Sequence, residues 1–176
     1  GHGPLLETRP TRTAGVLVVT SDRGLAGAYN INVMRLAELR LIDLVRGGTD
    51  VRVYVVGKKA HSYFRYRGYL IQQAFLGVTD TPGYGDARAV ANVLTNDFAE
   101  GTVDTVEVFT TKYLSALTQT ASTWTLLPIA PPPTPAGVEP SGPVGYTYEP
   151  SPDEILGRLL PRYVEASAFG ILLEAS

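Results

Sequence analysis

The chain contains no cysteine and only two histidines. Disulfide staples, a thiol nucleophile, thiol-based control and cysteine metal clusters are thereby excluded, and two imidazoles leave little from which to build a zinc site. Long apolar runs are missing as well. No stretch approaches the ~20 consecutive apolar residues that a membrane-spanning helix needs, and the opening residues lack the basic-then-apolar layout of a secretory signal. The expectation is a soluble chain without direct membrane insertion. Charge of one sign is also scarce: 15 Lys and Arg stand against 17 Asp and Glu, a net charge of -2. That balance gives no general attraction for polyphosphate, so nucleic acid is not an expected partner.

What is present is an ordinary globular mixture: 176 residues, 44% hydrophobic and 18% charged. This suffices for one sizeable core, and a single globular domain over 1–176 is the expectation. The run GVLVVTSD (15–22) is apolar without alternation, as in a strand buried on both faces of a parallel sheet. A helix should follow, with Met34, Ala37, Leu41 and Val45 on its apolar stripe and Gly47 and Gly48 at its stop. Further strands are predicted at 50–59 and 70–78, with a short helix or helical turn at 60–68 between them and a second crossover helix presenting Val90, Val93, Leu94 and Phe98. The stretches 105–113 and 120–128 are rich in Thr, Val and aromatics and lie close together, which predicts an antiparallel pair. The sheet is therefore expected to be mixed but mostly parallel.

Proline and glycine dominate 128–144, an extended surface loop whose Pro132–Pro135 spacing reads as a spacer rather than a recognition motif. Ser151, Pro152 and Glu154 then form a helix-start signature. Pro161 should kink or divide that helix. The last residues carry Phe169, Ile171, Leu172 and Leu173, which must either pack on the core or belong to a longer helix.

The glycine-bearing turn at 22–30 sits between strand and helix, where α/β proteins often hold phosphate. It contains Gly24 and Gly27 but no lysine, and neither the GxxxxGK[ST] nor the GxGxxG spacing occurs. A small nucleotide-binding enzyme using this turn is therefore the weaker alternative. Ser21 has only His61 as a prospective base, and Asp80 and Asp86 are read as turn and capping residues rather than a cation site. The basic and aromatic cluster GKKAHSYFRYR (57–67) reads as a solvated helix face or a protein interface in preference to an RNA-binding face.

Three stretches then carry a resemblance. TSDRGLAGAYNINV (20–33) resembles the SDRGLxGxxN signature of the gamma subunit of F-type ATP synthases, the central stalk of the rotary motor. FTTKYLSALTQ (109–119) is similar to a supporting segment of that family, and 146–176 resembles its YxxEP stretch followed by LLPRYV and a helix. The resemblance implies an α/β fold, a Rossmann-like three-layer α/β/α domain that binds no nucleotide, cofactor or metal and has no catalytic activity of its own. It implies a domain that couples rotation of a membrane rotor ring to ATP synthesis in a proton-translocating enzyme, on the cytoplasmic face of the cell membrane. The implied partners are the epsilon subunit, the membrane rotor ring and, through long coiled-coil arms that this sequence lacks, the catalytic ring of alpha and beta subunits. By the same resemblance Tyr146, Tyr148, Glu149 and Pro150 are candidate rotor contacts. Asp22 and Arg23, with Ser21 and Asn30, are candidates from the first motif.

Overall fold

A computed structural model describes residues 4–22, 27–113, 119–130 and 152–176. Strand β1 (Thr13–Val19) is buried over its last six residues, which accounts for a sequence that runs apolar rather than alternating. Helix α1 (Gly27–Arg46) returns the chain to β2 (Asp50–Val56), and α2 (Lys58–Tyr66) leads to β3 (Ile71–Phe75). Helix α3 (Tyr84–Ala99) then crosses to β4 (Thr105–Tyr113), which is followed by β5 (Gln119–Leu127) and the long α4 (Pro152–Ala175).

The five strands form one sheet in the order β3-β2-β1-β4-β5. The pairs β1–β2, β1–β4 and β2–β3 are parallel, and β4–β5 is antiparallel. The mixed, mostly parallel sheet read from the sequence is thus observed. Its two faces carry separate cores. Leu17, Val19, Tyr54, Val106 and Val108 meet Val90, Leu94 and Phe98 of α3 and Val164, Ala168 and Leu172 of α4 on one side. On the other, Val16, Val18, Val53 and Val55 meet Val33, Ala37 and Leu41 of α1 and Ala60 and Phe64 of α2. Because side chains alternate along a strand, every residue of β1 and β2 that enters the sheet centre must be apolar. This is the three-layer α/β/α arrangement.

Several expectations shift in detail. The stripe of α1 is Val33, Met34, Ala37, Leu41 and Leu44, and Val45 is 55% exposed. Val45 lies about 100° round the helix from Leu44, beyond the contact with the sheet. The strands are also shorter than read: β1 ends at Val19, β2 at Val56 and β3 at Phe75. Gly48 does stop α1, at φ 86°, with the Thr49 N–H donating to the Leu44 carbonyl at 2.9 Å. Helix α3 begins at Tyr84, and Asp86 caps it by accepting the Gly83 N–H at 2.9 Å.

Pro161 does not divide α4. Leu160, Val164 and Ala168 are buried on either side of it and hold the helix against the core through the missing hydrogen bond. Of the terminal apolar residues, Ile171 and Leu172 are buried and Phe169 packs against the same cluster, whereas Leu173 is exposed. The 131–144 part of the proline-rich segment, expected as a surface loop, and Ser151, expected as a helix cap, lie outside the described residues; at the near end of that segment the Ile129 N–H donates to the Leu5 carbonyl at 2.8 Å.

Candidate functional site

The strand order places β2 and β3 on one side of β1 and β4 on the other. Open α/β sheets bind ligands at the carboxyl ends of their strands beside such a reversal. The reversal lies between β1 and β4, and residues 114–118 after β4 are outside the described ones; the described part of this carboxyl edge is Thr20, Ser21 and Asp22 after β1, with the start of α2 after β2 beside them.

The start of α2 has no cap of its own, because its N-cap residue is Gly57 and carries no side chain. Its free amides are met from across the sheet. The Lys58 N–H donates to Asp22 Oδ1 at 3.0 Å, and the Ala60 N–H donates to Thr20 Oγ1 at 3.2 Å. Thr20 in turn donates its hydroxyl to the Val56 carbonyl at 3.1 Å. The other carboxylate oxygen of Asp22 accepts the Gly77 N–H at 3.1 Å and the Thr79 hydroxyl at 2.8 Å, while the Asp22 N–H donates back to Thr79 Oγ1 at 3.0 Å. One carboxylate thereby ties the ends of β1, β2 and β3 together.

Chemically, this arrangement fills an anion position from within. A helix N-terminus favours negative charge because its first amides point outward unpaired. Two of those amides already have partners, and a fixed carboxylate stands where a phosphate oxygen would bind. The glycine at position 57 is required by the same closeness. Its φ is 98°, and a Cβ there would collide with the Thr20 carbonyl.

Of the residues named from the sequence, Asp22 lies at the centre of this edge. Asn30 is 4% exposed near the start of α1. Arg23, Tyr146, Tyr148, Glu149 and Pro150 lie outside the described residues. His61 is half-buried on α2 and lines the surface beside Arg65, Tyr69 and the β3 edge. Among the described residues no group of three or more His, Cys, Asp or Glu could hold a metal ion.

Two further polar locks escaped the sequence reading. Arg9 Nε donates to Asp104 Oδ1 at 2.7 Å, and its Nη2 donates to the carbonyls of Phe98 and Val103 at the end of α3. Asp104 also accepts the N–H groups of Arg12 and Thr13 at 2.8 and 3.0 Å. Burial works against its charge, but Arg9 and these two amides outweigh that and hold the carboxyl below its usual range. Within the sheet, the Tyr54 hydroxyl donates to Asp97 Oδ2 at 2.6 Å. Burial first, and then the Asp97 carboxylate, push the Tyr54 phenol far above the usual tyrosine range. Nothing in local spacing announces either pair.

Comparison with known proteins bears on what such a domain is for. A family model described as ATP synthase matches residues 1–176. The ATP synthase gamma chain of Exiguobacterium sibiricum is 39% identical over 173 residues, covering 98% of this chain and 58% of that protein. The gamma chain of Parafrankia sp. is 42% identical over 186 residues, covering 98% of this chain and 60% of its own length. The chain thus spans about three-fifths of the relatives it matches. Among solved structures, the central stalk and c-ring of the Tetrahymena thermophila mitochondrial ATP synthase superposes with a TM-score of 0.70 at 17% identity, covering 96% of this chain and 72% of the other. A chain of the Euglena gracilis mitochondrial enzyme gives 0.63 at 14% identity, covering 92% and 55%. At these identities the structural likeness speaks for the fold.

Proposed function

Because the chain belongs to the ATP synthase family, with gamma chains as its relatives, we propose that it is the globular domain of a central-stalk gamma subunit. In this reading it couples rotation of a membrane rotor ring to ATP synthesis in the catalytic ring, at the cytoplasmic face of the cell membrane, and performs no nucleotide chemistry itself. The epsilon subunit is its soluble partner, with Tyr146, Tyr148, Glu149, Pro150, Asp22 and Arg23 as the candidate contact residues. Aromatic residues suit such a contact because they bury much area at little entropic cost.

The observation that carries the proposal is the family match over residues 1–176. The geometry of the strand edge agrees with it. A part that transmits torque needs stiffness at the ends of its strands, and Asp22 joins three of them. The nucleotide-binding alternative at the 22–30 turn is not favoured, because the relatives along the whole matched chain are gamma chains.

The test is calorimetric titration of the full-length chain with its matched epsilon subunit, with ATP titrated separately. Saturable epsilon binding that weakens in Tyr148→Ala, with no heat from ATP, supports the rotor reading. Micromolar ATP binding without epsilon binding overturns it.

A further inference from the structure

The basic and aromatic cluster at 57–67 has no part in the strand-end lock beyond the backbone amides of Lys58 and Ala60. Its side chains instead form one wall of a groove between α1 and α2, with a volume of about 670 Å³, lined by Ile31, Met34, Lys58, Lys59, Tyr63 and Tyr66. The floor is apolar: Met34 is buried, and Tyr63 lies half-buried with its hydroxyl donated to Glu38 at 2.7 Å. The rim is open. Ile31 is 40% exposed and Tyr66 is 92% exposed, an unusual position for an aromatic ring at the end of a helix.

The charge around this groove is one-sided. Among the described residues no carboxylate pairs with the side chains of Lys58, Lys59, Arg35 or Arg65. The nearby acids are already engaged: Asp22 accepts the N–H groups of Lys58 and Gly77 and the Thr79 hydroxyl, and Glu38 meets the Tyr63 hydroxyl and Arg67, whose Nε lies 3.5 Å away and whose guanidinium stacks over the Tyr63 ring at 4.3 Å. A chain of net charge -2 thus segregates unpaired cations beside exposed apolar surface.

We propose that this groove docks an acidic segment of a protein partner, in which an apolar side chain enters between Ile31, Met34 and Tyr66 while flanking carboxylates meet Lys58 and Lys59. Shape and charge select this occupant. A phosphate group needs converging amides, and the amides at the start of α2 are taken by Asp22 and Thr20. A lipid surface needs a broad protruding apolar face, whereas here Ile31 and Tyr66 rim a shallow groove floored by buried Met34. Protein interfaces place an apolar or aromatic anchor in a pocket and complementary charges at its rim.

The inference rests on the proposed function only in seeking the partner within the assembled complex. The test is to replace Tyr66 with the photo-reactive residue p-benzoylphenylalanine in the full-length chain, irradiate the purified complex, and identify the attached segment by mass spectrometry. The expected product is one protein segment with an apolar residue flanked by carboxylates. Its yield should fall about tenfold in the Lys58→Glu, Lys59→Glu double variant, because like charges now face each other. Lipid or nucleic-acid adducts, no defined adduct, or a yield indifferent to charge reversal overturns the proposal. Co-purification of the chain with the complex is read separately, so failure of the docking site is distinguishable from failure of the rotor reading.

Discussion

The carboxylate of Asp22 caps a helix that begins at Lys58, accepting its N–H at 3.0 Å across 36 residues of sequence. The same group holds Gly77 and Thr79 after β3. Replacing Asp22 by Ala removes a charged acceptor from three donors and leaves the buried Thr79 hydroxyl without its acceptor. Hydrogen bonds to charged groups are worth about 1.5–3 kcal/mol, and losing a cap costs about 1. The expected loss is about 2–3 kcal/mol by urea unfolding, with Asp22→Asn intermediate because its amide oxygen still accepts.

Gly57 tests the same edge through the backbone. At φ 98° an L residue is strained, and its Cβ would meet the Thr20 carbonyl, a backbone atom that cannot swing away. Gly57→Ala should therefore cost at least about 2 kcal/mol, more than the 1–2 kcal/mol of left-handed strain alone. Gly68, also at positive φ but with open space around the Cβ position, is the control. Gly68→Ala should show only the strain component in thermal unfolding.

These two residues mark where sequence reading succeeds and stops. Local patterns placed the strands, the crossover helices and the antiparallel β4–β5 pair, because burial on one or both faces writes itself into the order of apolar residues. The turn after Val19 was recognised as the place of interest by its small residues. Its role was not legible, since a carboxylate that serves amides 36 and 55 positions away leaves no spacing rule behind. Val45 shows the same limit on a smaller scale. Helical periodicity allows either Val45 or Leu44 onto the stripe, and only the sheet beneath α1 decides for Leu44.

Tyr54 is fully buried in β2 and donates to Asp97 on α3 at 2.6 Å. Tyr54→Phe keeps the ring and removes the bond, so the expected loss is about 1–2 kcal/mol at neutral pH. The pH dependence has a definite sign. The folded-state value of this phenol is raised, chiefly by burial, so its contribution is present below the ordinary tyrosine range and is lost as pH rises above about 10, where the unfolded chain ionises. Stability measured between neutral pH and about pH 11 should fall more steeply in the parent chain than in Tyr54→Phe. Equal slopes would show that Tyr54 ionises freely in the fold.

Arg9 and Asp104 are 95 residues apart and meet at 2.7 Å, joining the segment before β1 to the residue that precedes β4. Two effects compete at Asp104. Burial raises its pKa, while Arg9 and the amides of Thr13 and Arg12 lower it, and the lowering wins. A depressed folded value means that the stabilisation is complete above the ordinary aspartate range and disappears as pH falls through the folded value. The relevant window therefore lies below about pH 4. Asp104→Asn should lose about 1.5–3 kcal/mol at pH 7 and show a shallower acid limb, because it has no carboxylate to protonate. Arg9→Met removes the other partner, together with its stacking over Phe98 at 4.4 Å. Since each variant removes the same contact, the double variant should cost less than the sum of the two by about 1–3 kcal/mol, as contacting residues do. Strict additivity in urea unfolding would mean that the pair contributes nothing as a pair, and that the segment before β1 is held by its backbone bonds alone.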